Sequence, residues 1–453
     1  MDFKLLFALP DMENEKVLLH KTDGTYQLPT YDNPVGVNVG FDEPQLYNDF
    51  FRNLTGVSVF RRYSFNTDSY VVFVFEQVGK QNPVPANGHD WIAYSEFLSS
   101  EQPHEIKDII SNVKSHYNKS TNMPWVCTSG IASYFNWLCD VCSAKNIHIN
   151  GEITQVKNAY VSNVYCIPTD MGNLYMKIPG KVFITELPFT YELKKLGMVD
   201  YPVWVDFNSN MNVFLMKDMG GTDLPDKTDI ETLKKVVVQL ARTQKNSIKY
   251  LPLKCEHNDC RLDTVLSDMI DFPKGVFDIL LPTNYKITHD EKQKLECNIK
   301  SAIKLLKVVQ SKSIPDVIQN GDVRPGNIRV IDNDYIFYDW AWGAVSHPFL
   351  EPAAFLHIIR RNLPTDIPAK NILVETYLNE WLEYGTLDEL ITVFTILDDL
   401  KDLFWAHIDY IWVKDIYFAC NKPIEAMSAD GWLLERRIYY FKNVLRRFID
   451  MDF

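Results

Sequence analysis

Residues 319–340 read QNGDVRPGNIRVIDNDYIFYDW, and this segment decides the fold. It contains two short runs of β-branched and aromatic residues, at 330–331 and 335–338. Between them stand Asp332, Asn333 and Asp334, residue types that favour tight turns because they tolerate left-handed backbone angles. The segment therefore predicts a short loop followed by a β-hairpin.

Three polar residues occupy the ends of these predicted elements. Asp322 opens the loop, Asn327 closes it, and Asp339 ends the hairpin. A loop and a hairpin end can bring two carboxylates and an amide around one space. Oxygen ligands of this kind suit Mg²⁺, which shares its remaining coordination sites with phosphate and water. The third group can then orient or deprotonate a hydroxyl nucleophile, and these are the parts that phosphoryl transfer needs.

The same segment resembles the catalytic segment of the aminoglycoside phosphotransferase and choline kinase superfamily, in which HGDxxxxN precedes a hairpin and a DW or DF pair. The resemblance implies that Asp322 is the catalytic base and that Asn327 and Asp339 are the Mg²⁺ ligands. It also implies ATP or GTP as the phosphoryl donor. Two positions depart from the family: Asn320 stands where the family has histidine, and Glu351 stands where an aspartate is frequent.

A second predicted hairpin, at 160–178 with its turn at 170–172, carries a lysine in an apolar strand. Lys177 lies between Met176 and Ile178, where an unpaired charge is costly. Glu186 opens the following helical run. The resemblance implies that Lys177 and Glu186 form the ion pair that positions nucleotide phosphates, with Glu192 as the alternative acid. The other interpretation of Lys177 is an edge-strand lysine that reaches solvent.

The strand predicted at 213–217 ends in a sequence that resembles the family's hinge. The resemblance implies that Lys217, Asp218 and Met219 bind the nucleotide base through their backbone groups. Gly220 and Gly221 follow, and glycine permits the chain to turn beneath a nucleotide.

The predicted class is α+β, with a bilobal protein-kinase-like (aminoglycoside phosphotransferase-like) fold preceded by a small β-rich domain. The predicted domains are an accessory domain with a helical connector at 1–120, an N-lobe at 121–218, and a helical C-lobe at 219–453 that holds the catalytic loop 319–340. The accessory domain resembles a degenerate Nudix fold in the order of its predicted elements: a strand, a helix at 44–54 that ends at Gly56, further strands, and then a segment with Trp91, Glu96 and Phe97. The acidic positions of the Nudix box hold other residue types, among them Phe50, Asn53 and Leu54. An unrelated small β-domain is the alternative.

Composition limits the partners. The 453 residues carry a formal net charge of −13 with a pI near 5.3, which argues against nucleic acid and anionic membranes. No apolar run approaches the roughly 20 residues of a membrane span. We therefore expect a cytoplasmic protein.

The predicted activity is transfer of a γ-phosphoryl group to a hydroxyl of a small molecule such as an antibiotic, a sugar or an amino alcohol. The acidic balance makes a cationic acceptor plausible, although the net charge of a chain is not the charge of its pocket. Two other functions stay open: a nucleotide-binding pseudokinase that acts as a scaffold, and a nucleotidyl transferase on the same fold. Late aromatic residues such as Phe404 and Trp405 have the helical spacing of core positions more than of a ligand platform. The sequence leaves the oligomeric state open.

Overall fold

A computed structural model describes most of the chain, and its contacts form two compact units. The described residues are 4–22, 25–31, 44–67, 69–78, 85–117, 123–126, 130–159, 161–200, 202–269, 272, 274–276, 286–365, 367–419, 439 and 442–451. Within them, the first unit takes residues of 1–184 and 204–218, and the second takes 185–203, 219–423 and 436–453.

The first unit holds thirteen of the described strands and four α-helices. The strands are β1 (Lys4–Ala8), β2 (Pro10–Asp11), β3 (Lys16–Thr22), β4 (Thr25–Gln27), β5 (Thr30–Tyr31), β6 (Phe60–Asn66), β7 (Tyr70–Glu76), β8 (His89–Ala93), β9 (Thr154–Ala159), β10 (Ser162–Thr169), β11 (Gly172–Pro179), β12 (Trp204–Asn208) and β13 (Val213–Lys217). The helices are α1 (Pro44–Thr55), α2 (Tyr94–Ser99), α3 (His104–His116) and α4 (Gly130–Lys145).

These strands build three sheets. The first has the order β5-β1-β7-β6, with β1 parallel to β7. The second joins β2, β3 and β4, and β8 pairs with the other edge of β3. The third is antiparallel, in the order β12-β13-β11-β10-β9.

Strand β7 shows why the amino-terminal sheets and the third sheet fall into one unit. Successive side chains of a strand point to opposite faces. Phe73 and Phe75 accordingly enter a core of amino-terminal residues alone. Val72 and Val74 enter a larger core that also contains Tyr165 of β10. The domain boundary predicted near residue 120 stays a prediction. Near the predicted hinge, the two compact units meet in the sequence between residues 218 and 219.

A buried carboxylate adds a polar link inside this unit. Glu76, at the end of β7, accepts hydrogen bonds from the backbone N–H groups of Ile131 (3.0 Å) and Ala132 (3.1 Å). Its other partner is the buried guanidinium of Arg62. An anion at a helix N-terminus satisfies donors that the helix leaves unpaired. Strand β7 therefore fixes the start of α4.

The second unit is mostly helical among its described residues. Its α-helices are α5 (Glu186–Lys195), α6 (Ile230–Ser247), α7 (Leu262–Asp268), α8 (His289–Gln310), α9 (Leu350–Ile359), α10 (Ala369–Leu378) and α11 (Leu387–Ala419), with a further helical stretch at 442–449. Its strands are β14 (Thr222–Asp223), β15 (Asn258–Cys260), β16 (Val317–Gln319), β17 (Ile328–Ile331), β18 (Asp334–Phe337) and β19 (Ala344–Ser346).

The hairpin predicted after the loop is confirmed as β17 and β18, which pair from Ile328–Phe337 to Ile331–Asp334. Asp332 and Asn333 make the turn with φ of 48° and 69°, the left-handed angles that their residue types tolerate. The mixed α+β class is also confirmed. No helix within the described ranges is both long and apolar enough to cross a membrane.

Candidate active site

The structure brings the three predicted catalytic-segment residues together within the second unit. Asn327, in a 3-10 helix at Pro325–Asn327, donates from Nδ2 to Oδ2 of Asp322 and to the Asp322 carbonyl oxygen, each at 2.8 Å. Asp339 follows β18 and is close enough for its charge to raise the pKa of Asp322. The loop and the hairpin end therefore face one space, as the spacing in the sequence predicts.

Asp322 is half-buried, and its surroundings make it easier to protonate than an ordinary aspartate. Burial is the largest cause that raises its pKa, and the Asp339 carboxylate raises it further. Arg324 and the hydrogen bond from Asn327 act in the opposite direction. Arg324 Nε lies 3.1 Å from Asp322 Oδ2. A carboxylate with a raised pKa is a better proton acceptor while it stays ionised, as a general base must be.

The buried side chain of Asn320 ties the loop to the hairpin. Asn320 donates from Nδ2 to the carbonyl oxygens of Tyr338 (3.1 Å) and Asp339 (3.4 Å). Its Oδ1 accepts from the backbone N–H of Asp322 at 3.2 Å. Asn320 is buried, so these bonds replace lost water contacts. The position is occupied by a residue that supports the loop through hydrogen bonds.

Gly321 fits its place for two reasons. Its φ is +81°, an angle that side-chain-bearing residues rarely adopt. A Cβ there would lie 2.2 Å from the carbonyl oxygen of Trp342. The backbone of the loop thus passes directly against the segment that follows the hairpin, and this close approach places Asp322 next to Asp339.

Asp339 itself adopts a left-handed conformation, with φ 59° and ψ 69°. It precedes a 3-10 helix at Trp340–Trp342. Trp340 is buried, donates from Nε1 to the carbonyl of Phe337 at 3.1 Å, and contacts Phe189 of α5. Unfavourable backbone angles held by a packed neighbour are common at functional sites.

Glu351, on α9, holds the loop through a hydrogen bond to its backbone. Its Oε1 accepts from the backbone N–H of Gly321 at 2.8 Å, and its Oε2 accepts from Gln244 Nε2 of α6 at 2.9 Å. Tyr377 of α10 donates to Gln244 Oε1 at 2.6 Å. Burial raises the pKa of Glu351 to about 7. Sequence reasoning noted Glu351 but missed Gln244 and Tyr377, which no local motif marks.

The side-chain oxygens at this site fit a magnesium ion that is also bound by phosphate. No cluster of three or more His, Cys, Asp or Glu side chains that could hold a metal occurs among the described residues. The predicted pair instead offers the carboxylate of Asp339 and the amide oxygen of Asn327, whose Nδ2 is committed to Asp322. Mg²⁺ commonly takes one or two protein oxygens and completes its shell with phosphate and water. The repulsion between Asp322 and Asp339 is what a cation would relieve.

The predicted phosphate-positioning residues are both buried. Lys177 lies on β11, opposite Val164 of β10 and Phe214 of β13, so it is not on an edge strand. Glu186 begins α5, where a carboxylate is stabilised by the helix dipole. The alternative acid, Glu192, is 3.6 Å from Lys195. Lys177 belongs to the first unit and Glu186 to the second, and their pairing stays a prediction.

The predicted hinge is described on both sides of the division between the units. Lys217 is the last residue of β13, and Asp218 donates its backbone N–H to the carbonyl of Asn173 at 3.1 Å. A nucleotide base can use that Asp218 donor only by displacing this bond. Met219 is half-buried. A Cβ on Gly221 would lie 2.3 Å from the carbonyl of Val330, so the second glycine is required by the contact of β14 with β17.

A cavity of about 680 Å³ opens beside Asp322, lined by residues of the second unit. Its walls include Leu350 and Ile358 of α9 and Trp405 of α11. Phe404 also lines it but is mostly buried, whereas Trp405 keeps 38% of its surface exposed. The helical spacing that predicted core positions is thus correct for Phe404, and Trp405 faces a ligand-sized space.

Comparison with solved structures finds similar kinases, whereas comparison of sequences finds no match. No protein-family profile and no curated sequence matches the chain. A choline kinase from Cryptosporidium parvum Iowa II is 12% identical, with a TM-score of 0.47 over 70% of this chain and 96% of that one. A choline kinase from Streptococcus pneumoniae is 11% identical (TM-score 0.43, 69% and 99% covered). A macrolide 2'-phosphotransferase from Brachybacterium faecium is 12% identical (0.44, 68% and 98%).

These structural neighbours are small-molecule kinases, but at TM-scores below 0.5 they carry no inference about the substrate or mechanism of this chain.

Proposed function

We propose that the protein is a phosphotransferase that moves the γ-phosphoryl group of ATP or GTP to a hydroxyl of a small molecule. The observation that supports it best is the joint placement of Asp322, Asn327 and Asp339, with a ligand-sized cavity open on the Asp322 side. One carboxylate faces the space for an acceptor, and the other two groups supply oxygen ligands for the donor side. This division of roles is what phosphoryl transfer requires.

The proposed reaction makes one oxygen–phosphorus bond and breaks another. The acceptor hydroxyl oxygen attacks the γ-phosphorus, and the bond from that phosphorus to the bridging oxygen of the nucleoside diphosphate breaks. Asp322 accepts the hydroxyl proton and later releases it to solvent. Arg324 and Asn327 hold the Asp322 carboxylate in place through bonds of 3.1 Å and 2.8 Å. Positioning of this kind supplies much of the rate in such reactions.

Asn327 and Asp339 are the residues that would hold Mg²⁺, which when bound neutralises phosphate charge. Lys177 and Glu186 are proposed as the pair that positions the nucleotide phosphates. Backbone groups of residues 217–219 are proposed to contact the base. Since the net charge is −13, nucleic acid and anionic membranes are not proposed as partners.

The amino-terminal region is proposed to be a Nudix-like accessory without pyrophosphohydrolase chemistry. Asp49, on α1, is engaged by Arg52 and Gln45, each at 2.9 Å. The neighbouring positions Phe50 and Leu54 offer no metal ligands. The region supports α4 through Glu76, a structural role that needs no catalysis of its own.

A paired assay tests the proposal. Thermal unfolding with nucleotide and Mg²⁺ measures donor binding, and release of nucleoside diphosphate in the presence of an acceptor panel measures transfer. The proposal expects both signals, and a modified acceptor heavier by one phosphoryl group in mass spectra. Binding without release would favour a pseudokinase scaffold. An acceptor carrying a nucleotidyl group would favour the nucleotidyl transferase, and either result would overturn the proposal.

A further inference from the structure

The cavity beside Asp322 has apolar wall residues that stay exposed among the described parts of the chain. Ile358 and Trp405 keep 36% and 38% of their surfaces accessible, so both are exposed apolar residues. Both face the cavity. Its volume of about 680 Å³ lies within the range of small-molecule sites. Apolar surface inside a concave site gains stability when a ligand removes it from water.

The acidic groups at the cavity wall have partners from the protein itself. Asp322 Oδ2 is bound to Arg324 Nε at 3.1 Å, and Asp402 Oδ1 to Arg447 Nη2 at 3.1 Å. Glu351 is buried and uses its two oxygens for the Gly321 N–H and the Gln244 amide, as described above. Each of the three carboxylates among the described lining residues therefore already has a partner within the protein.

The basic groups are compensated in the same way. Lys401 Nζ lies 3.1 Å from Asp398 Oδ1, and Arg324 and Arg447 hold the aspartates already named. His357 also lines the cavity, and burial, with several cations nearby, lowers its pKa, so the ring is neutral at pH 7. An anionic acceptor would have to compete with these internal pairs as a cationic one would.

Resting on the phosphotransferase function proposed above, we propose that the acceptor is an uncharged alcohol with an apolar body, seated between Ile358 and Trp405 with its hydroxyl at Asp322. A charged acceptor would lose hydration at these walls without gaining an ion-pair partner, and this loss is costly. The net charge of the chain does not set the charge of this site, so the expectation of a cationic acceptor from composition is replaced by a neutral one.

Three alcohols of equal chain length separate the charge classes: octanol, aminooctanol and hydroxyoctanoate, assayed near pH 7.5 with ATP and Mg²⁺. We expect phosphorylated octanol, with a kcat/KM at least about tenfold above that of either charged analogue, the ratio that corresponds to roughly 1.4 kcal/mol. Preference for aminooctanol or for hydroxyoctanoate, or equal use of all three, would overturn the proposal.

Wall variants provide the second arm. Trp405→Ala and Ile358→Ser should each lower kcat/KM for octanol by about 10- to 100-fold, as truncation of a central apolar contact does. Leu382→Ser is the matched control, because Leu382 is an exposed apolar residue of the same unit outside the cavity lining (48% exposed). ATP binding should be unchanged in all three. Wall variants that behave like Leu382→Ser would contradict the neutral-acceptor proposal.

Binding of octanol alone separates this inference from the proposed function. It is measured as a shift in thermal unfolding of the full chain without nucleotide. Stabilisation by octanol that exceeds stabilisation by aminooctanol and is lost in Trp405→Ala supports the acceptor class even if no phosphoryl transfer occurs. Lack of transfer to every alcohol would then count against the phosphotransferase function. Absence of octanol stabilisation, with transfer to a charged alcohol intact, would count against the acceptor class.

Discussion

The proposed catalytic segment, residues 319–340, and the proposed phosphate-positioning pair are organised differently, although the same family resemblance suggested both. Asp322, Asn327 and Asp339 come from one short stretch, and hydrogen bonds and a glycine contact hold that stretch in shape within one compact unit. Lys177 and Glu186 are close in sequence but belong to different units. A local motif can fix its own geometry through its backbone, whereas a pair split between units depends on how the whole chain assembles.

The largest effect is expected at the metal-ligand position of the catalytic segment. Asp339→Asn should abolish the Mg²⁺-dependent part of stabilisation by nucleotide, because it removes the only carboxylate proposed as a ligand. The melting temperature without nucleotide should change little. The measurement is thermal unfolding with nucleotide, with and without Mg²⁺. Unchanged Mg²⁺-dependent stabilisation would remove Asp339 from the site.

Two glycines of the loop offer a matched test of the idea that close backbone contact shapes the segment. Gly321→Ala should destabilise the protein by about 2–4 kcal/mol and reduce transfer, because its Cβ meets the Trp342 carbonyl at a left-handed φ. Gly326 has no heavy atom within 4 Å of an added Cβ and no positive φ. Gly326→Ala should be neutral or slightly stabilising. Chemical denaturation of both variants measures the difference, and equal stabilities would contradict the account.

The anchor beneath the loop predicts a pH-dependent difference in stability. Glu351 has an ordinary pKa near 4.5 when unfolded and about 7 when folded. Between these values the folded state holds a proton that the unfolded state releases, so this group's contribution to stability falls as pH rises. Glu351→Gln removes the titration and can keep the hydrogen bonds if the Gln244 amide turns over.

Urea unfolding of the wild type and Glu351→Gln at pH 5 and pH 8 tests this anchor. Relative to the wild type, the variant should be more stable at pH 8 than at pH 5, by about 3 kcal/mol at most. The same difference in stability at both pH values would show that Glu351 does not titrate in this window.

The smallest effect is expected in the amino-terminal region, where a substitution should not change hydrolysis at all. The full chain should not hydrolyse nucleoside diphosphate linkages through α1, because Asp49 is held by Arg52 and its neighbours lack metal ligands. Asp49→Asn should leave any background hydrolysis unchanged. Mg²⁺-dependent hydrolysis that disappears in Asp49→Asn would overturn the view of this region as an accessory without its own chemistry.

Much of the catalytic segment, and the end of α1, could be predicted because the signals for these elements are local. Turn residues, apolar runs and the helix stop at Gly56 each act over a few positions, and α1 ends at Thr55 as expected. The β-branched residues Val57 and Val59 favour a strand, yet β6 begins only at Phe60. At that point the backbone N–H of Arg61 donates to Oδ1 of Asn48 and to Oε1 of Gln155, a buried contact that joins residues far apart in sequence.

The remainder of the site depends on contacts that no short pattern encodes. Gln244 of α6 donates to Glu351, and Tyr377 of α10 donates in turn to Gln244, so two further helices more than a hundred residues apart complete the anchor. Trp405 and Ile358 have the spacing of core residues, and only their exposure in the folded unit shows that they face the cavity. Helical periodicity predicts which side chains share a face, but it does not say whether another element covers that face.

Asp322 is proposed to act on the acceptor and not on the nucleotide, and two measurements on the same variants test this role. Nucleotide affinity and phosphoryl transfer are measured on Asp322→Ala, with the isosteric Asp322→Asn, which can still accept from Asn327, as the control for loop structure. The account predicts nearly unchanged nucleotide affinity in both variants and a loss of turnover of about 10²–10⁴ in both, the usual contribution of a general base. Parallel loss of affinity and stability in Asp322→Ala, with Asp322→Asn still fully active, would contradict it.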